Sequence, residues 1–113
     1  MIMSEYEKKA ERIFIVVPLR ERRKSDVLEQ CQKLMKAYQK KTGKVNVLVT
    51  NTIFSQFMKK PIYVLSKCLM DMQNCSAVII ADGCHDDFMC STLETCAGNY
   101  GYRVIQEKEL MQQ

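Results

Sequence analysis

Three short runs constrain the fold most: Arg12 to Pro18 (RIFIVVP), Val45 to Thr50 (VNVLVT) and Ala77 to Ala81 (AVIIA). Each is a near-continuous succession of apolar, mostly β-branched residues. A strand with one wet face alternates apolar and polar residues, whereas a strand covered on both faces does not. The runs therefore predict strands of a parallel sheet, and parallel neighbours need a crossover of a dozen or more residues between them.

The intervening segments have helical spacing. From Ser25, a plausible N-cap, the apolar positions Val27, Leu28, Cys31, Leu34, Met35 and Tyr38 form one stripe, and Gly43 supplies a stop. Pro61 suits a first helical position; Ile62, Leu65, Cys68, Leu69 and Met72 line a second stripe that Asn74 can close. Ser91 opens a third helix with Leu93, Cys96, Ala97 and Tyr100 at helical spacing, stopped by Gly101. Tyr102 to Ile105 predicts a fourth strand, followed by a few residues of helix. Residues 1–11 are polar and charged and are expected to form a loose leader; residues 12–113 form one domain without repeats or linkers.

Right-handed crossovers give this β-α-β-α-β-α-β chain a three-layer α/β/α architecture. The expected fold is an open parallel sheet of four or five strands, flavodoxin- or Rossmann-like, in the order 2-1-3-4. Ligands of such sheets sit at the carboxyl ends of the strands, where the order reverses. Those ends are Pro18 to Lys24, Thr50 to Phe54 and Asp82 to Ser91. Neither GxGxxG nor GxxxxGK[ST] occurs there, which excludes the usual dinucleotide and P-loop signatures.

Six cysteines stand at positions 31, 68, 75, 84, 90 and 96, without a CxxC pair. The chain has one histidine, so a zinc site would need Cys84, His85, Cys90 and Cys96 at untypical spacing. No signal-peptide pattern or membrane span accompanies them, and the expectation is a cytoplasmic domain with reduced thiols. Cys31, Cys68 and Cys96 lie on apolar helix faces and read as core. Cys84 and Cys90, in the third loop, could reach a ligand. Residues 1–60 carry 14 Lys and Arg against 6 Asp and Glu, while residues 61–113 carry 3 against 7. The chain has no Trp, and the basic run at Arg20, Arg22, Arg23 and Lys24 has no neighbouring Phe or Tyr, which argues against nucleic acid as the partner.

The third loop concentrates the chemistry. Ser91-Thr92-Leu93-Glu94 has two readings: a ligand site with a reactive carboxylate, or a capping box in which both side chains satisfy the backbone. Asp82, Asp86 and Asp87 add carboxylates nearby, and His85 a potential acid or base.

Taken in order, RIFIVVPLR, KKPIYVLSKCLMDMQNCSAVIIADG and CSTLETCAGNYGYRVI resemble the nucleoside 2-deoxyribosyltransferase-like superfamily, especially its small bacterial and phage members. The resemblance covers about residues 12–107. It implies that Glu94 is the nucleophile at the anomeric carbon of a nucleoside or nucleotide. Asp87, with Asp86 as the alternative, would assist proton transfer, and Ser91 would contact the sugar or phosphate. Pro18, Arg20, Asp82 and Gly83 complete the expected binding set, with Arg22 and Arg23 available for phosphate. The implied activity is N-glycosidic-bond transfer or hydrolysis, without cofactor or metal, in a homo-oligomer; Phe54, Phe57 and Met58 are the candidate contact surface. The sequence departs from the family pattern at Val17, where a small residue usually precedes the proline, at Ser76 in place of Asp, and at Thr95 in place of His. These departures support the alternatives: a nucleotide-binding or sensing module without chemistry, or an interaction domain in which Glu94 only caps its helix.

Overall fold

A computed structural model describes residues 11–19, 21–43, 46–50 and 60–112. The elements are β1 (Glu11–Val16), α1 (Lys24–Thr42), β2 (Asn46–Thr50), α2 (Pro61–Met72), β3 (Ala77–Ile80), a 3-10 turn (Cys84–Asp86), α3 (Phe88–Asn99), β4 (Arg103–Gln106) and α4 (Glu107–Met111). The expected α/β class holds. The strands lie in the order β2-β1-β3-β4, with every neighbouring pair parallel. β1 begins at Glu11, one residue inside the expected leader; the remainder of that leader lies outside the described residues.

Two of the three continuous apolar runs have their physical reason in strand position. β1 and β3 are central, and Ile13 to Val17 and Ala77 to Ile80 are buried without alternation. β4 lies at the edge, where Ile105 is its one buried residue and Arg103 is exposed. α1 buries Val27, Cys31, Leu34, Met35 and Tyr38, a single stripe, while Leu28 stays outside. Its N-cap is Arg23 rather than Ser25 and makes no side-chain cap; Asp26 in the first turn and Lys40 and Lys41 in the last suit the helix dipole instead. At the other end Gly43 takes a left-handed φ of 69° and donates its N–H to the Gln39 carbonyl at 2.7 Å.

α2 corrects the expected stripe. Val64, Cys68 and Met72 face the core, Leu65 and Leu69 flank it, and Ile62 is 81% exposed. Gln73, not Asn74, is its C-cap. α3 begins three residues before Ser91, and the residues it buries are Cys90, Leu93 and Ala97. It ends in a Schellman motif: Tyr102 N–H donates to the Ala97 carbonyl at 3.0 Å, and Gly101, at φ 77°, to that of Gly98 at 3.2 Å. α4 packs on α1, and α2 on α3. Among the described residues, no helix is long and apolar enough to cross a membrane.

Candidate functional site

From the central pair, β1 leads toward β2 and β3 toward β4, so the order reverses between them. A cleft of about 280 Å³ opens at the carboxyl ends of these two strands, lined by Pro18, Glu21, Gly83, Asp86 and Asp87. Its walls are two loops in direct contact. Gly83 has φ 93°, and a Cβ at that position would lie 3.3 Å from Pro18 Cγ. The first loop is tightened by Arg22, whose N–H donates to the Leu19 carbonyl at 3.3 Å and whose Nη1 donates to the Pro18 carbonyl at 2.9 Å. Glu21 between them adopts φ 59°, an uncommon conformation for a residue with a Cβ. Arg22 therefore closes its own loop through Nη1. Arg23 is the N-cap of α1. Arg20, Phe54, Phe57 and Met58 lie outside the described residues.

Asp87 is the N-cap of α3: its Oδ1 accepts the Cys90 N–H at 3.0 Å. The capping box expected at Ser91 and Glu94 is absent, because a helix that starts at Phe88 carries both residues in its interior. Ser91 donates its N–H to the Asp87 carbonyl at 2.9 Å, an ordinary helical bond. Glu94 is half-buried, and its Oε2 accepts from Gln106 Nε2 at 2.7 Å. Gln106 is the last residue of β4, so Glu94 is held at the same carboxyl edge as the cleft. It is not among the cleft's lining residues. Asp87, Ser91 and Glu94 follow the i, i+4, i+7 spacing of one helix face, which sets Glu94 about 10 Å along α3 from the cap.

Asp82 is exposed, and its N–H donates to Glu107 Oε1 at 3.0 Å; the same oxygen accepts from Gln30 Nε2 at 2.9 Å. Sequence reasoning missed Gln30, Gln106 and Glu107. Applied to the end of β4, the strand-end rule that selected the other loops would have found the last two.

The thiols of the third loop are core groups rather than ligands. Cys84 and Cys90 are both buried, and Cys84 Sγ donates to the Val16 carbonyl at 3.4 Å. Hydrogen bonding with Cys84, then burial, pushes the Cys90 thiol far above its ordinary range. His85 is exposed, and among the described residues no group of three His, Cys, Asp or Glu side chains could hold a metal ion.

The departures noted in the sequence are also located. Val17 is fully buried and does not line the cleft, so it does not narrow the approach there. Ser76 lies before β3, at the opposite edge of the sheet, where its Oγ donates to the Arg12 carbonyl at 3.2 Å. Thr95 Oγ1 donates to the Ser91 carbonyl at 2.9 Å within α3.

Fold and cleft together define a parallel α/β domain with an acidic recess at its switch point. No family model, curated protein or solved structure matches the chain.

Proposed function

We propose that this is a three-layer, flavodoxin-like domain that takes a nucleoside at the carboxyl edge of its sheet and acts on the N-glycosidic bond through Glu94. The observation that carries the proposal is the Glu94–Gln106 hydrogen bond of 2.7 Å, which fixes a half-buried carboxylate at the ligand edge and frees it from capping duty. The separate packing of α1 with α4 and of α2 with α3 supports the layered reading.

In the reaction, an oxygen of Glu94 forms a bond to the anomeric carbon as the bond from that carbon to the base nitrogen breaks. The electron pair leaves with the base, which takes a proton from a water held by Asp87 or Asp86. A second base or water then displaces Glu94. The intervening oxocarbenium-like transition state is stabilised by the carboxylate's negative charge. Ser91 lies on the same helix face and would contact the sugar. Glu21, Asp86 and Asp87 line the cleft with carboxylates, which accept hydrogen bonds from sugar hydroxyls and repel a phosphate. A nucleoside is therefore preferred over its 5′-phosphate. A cytoplasmic homo-oligomer, whose second copy covers the open cleft, belongs to the same proposal.

Base release from a panel of 2′-deoxynucleosides tests it, using wild type, Glu94→Gln and Glu94→Ala. Wild type is expected to release base, and both variants to lose that release. No turnover by wild type, or equal turnover by all three, refutes the chemistry. A second reading, binding without turnover, is favoured by the absence of Glu94 from the cleft lining. It expects a nucleoside to raise the melting temperature and to be recovered intact.

A further inference from the structure

The last residue of β4 and the first of α4 are adjacent in sequence and bond to different parts of the site. Successive side chains at a strand end point in opposite directions. Gln106 holds Glu94 of α3, whereas Glu107 receives both the Asp82 N–H and Gln30 Nε2 of α1 on a single oxygen, Oε1. The two bonds join segments 25 and 77 residues apart in the chain. Neither is a local consequence of helix or turn formation.

Asp82 immediately precedes Gly83, the residue whose left-handed backbone sits against Pro18 and forms a wall of the cleft. The peptide tethered by Glu107 is Ala81–Asp82, which leads directly into that wall. α4 is itself anchored: Leu110 is buried, and Lys41 Nζ donates to the Glu109 carbonyl at 2.7 Å. Gln30 Oε1 is buried without a hydrogen-bond partner. An amide flip does not relieve it, since that turn would face the oxygen toward the Glu107 carboxylate. The arrangement accepts an unsatisfied acceptor in order to keep an amide donor on Glu107.

We propose that Glu107 is a positioning residue: from the C-terminal helix it clamps the Ala81–Asp82 peptide, directly ahead of Gly83, and so sets the width of the switch-point cleft. The ligand consequence rests on the nucleoside reading above; the clamp itself does not.

The test is amide hydrogen exchange followed by NMR in the full chain, with Glu107→Ala and Glu107→Gln. Loss of a charge-assisted hydrogen bond is expected to speed exchange of the Asp82 amide about tenfold in Glu107→Ala. The Val78 and Ile79 amides of β3 should keep their wild-type rates. Glu107→Gln retains an acceptor oxygen but loses the charge, so its Asp82 exchange rate should fall between those of wild type and Glu107→Ala. With 2′-deoxyadenosine as the probe, Glu107→Ala should raise Kd or KM about tenfold and leave kcat nearly unchanged, because Glu94 is held separately by Gln106.

An unchanged Asp82 rate in Glu107→Ala overturns the clamp. So does an equal acceleration at Asp82, Val78 and Ile79, which would mean that Glu107 serves global stability alone. If wild type neither binds nor cleaves the nucleoside, the nucleoside reading fails, and the exchange measurement still decides the clamp.

Discussion

Two residues one turn apart compete for the start of α3, and substitution separates them. Asp87 occupies the N-cap, with its Oδ1 3.0 Å from the N–H of Cys90, the third helical residue. Replacing an Asp N-cap with Ala costs about 1 kcal/mol, in a range of about 0.5–2. Removing a negative charge from a helix N-terminus adds about 0.3–1 kcal/mol where the site is exposed. Asp87→Ala should therefore destabilise the protein by about 1–2 kcal/mol. For a domain near 100 residues each kcal/mol lowers Tm by about 4–8 °C. Asp87→Asn keeps the acceptor and loses only the charge, so its loss should be the smaller.

Ser91 lies one turn inside the helix and caps nothing. Ser91→Ala should change stability by less than about 0.5 kcal/mol. Urea unfolding of the four proteins, followed by far-UV circular dichroism with a common m value, measures all three differences. If Ser91→Ala falls as far as Asp87→Ala, or Asp87→Ala is neutral, then the helix starts at Ser91. The placement of Glu94 in the helix interior would fall with it.

Gly83→Ala should cost about 1–2 kcal/mol, because a Cβ disfavours the left-handed region and here also presses on Pro18; it should weaken nucleoside binding as well, measured by calorimetry. Phe14 is fully buried in a central strand, and Phe14→Ala should cost about 3–5 kcal/mol by urea unfolding. The thiols of Cys68 and Cys75 are pushed from 9.0 up to about 11, chiefly by burial. Between those values the folded chain holds more protons than the unfolded one, so this contribution is intact below pH 9 and is lost as pH rises toward about 11. Thermal melts across that range should show a falling Tm, and a Cys68→Ser/Cys75→Ser double variant should show a shallower fall.

The parts legible in the sequence are those fixed by local periodicity and by strand position. α1 was readable because its apolar residues fall on one stripe and its other faces are polar. The buried face of α2 was not, although the helix itself was, because Ile62, Val64, Leu65, Cys68, Leu69, Met70 and Met72 surround most of it. Several stripes fit that pattern equally, and packing against the sheet selected Val64, Cys68 and Met72. The start of α3 was ambiguous in another way, since Asp87 and Ser91 are both good caps. Burial of Cys90 settles the choice: it lies ahead of Ser91 yet belongs to the stripe continued by Leu93 and Ala97. The cleft at the ends of β1 and β3 followed from the strand-end rule. The bonds of Glu107 did not, because local sequence carries no signal for partners 25 and 77 residues away.

Moving the helix start changes what Glu94 can do. A glutamate in a capping box spends its carboxylate on backbone N–H groups at the helix end. Here Asp87 takes the capping duty, and the carboxylate of Glu94 turns to Gln106. That donor is a neutral amide. An arginine or lysine in its place would hold the carboxylate equally well but would offset its charge and oppose a cationic sugar. Gln106 orients one oxygen and leaves the net charge in place, which is the electrostatic condition for stabilising an oxocarbenium-like transition state. The distinction is chemical as well as positional. Under the proposed function, Glu94→Gln preserves the shape and loses the charge, so it should abolish base release while leaving nucleoside affinity, measured by calorimetry, nearly intact.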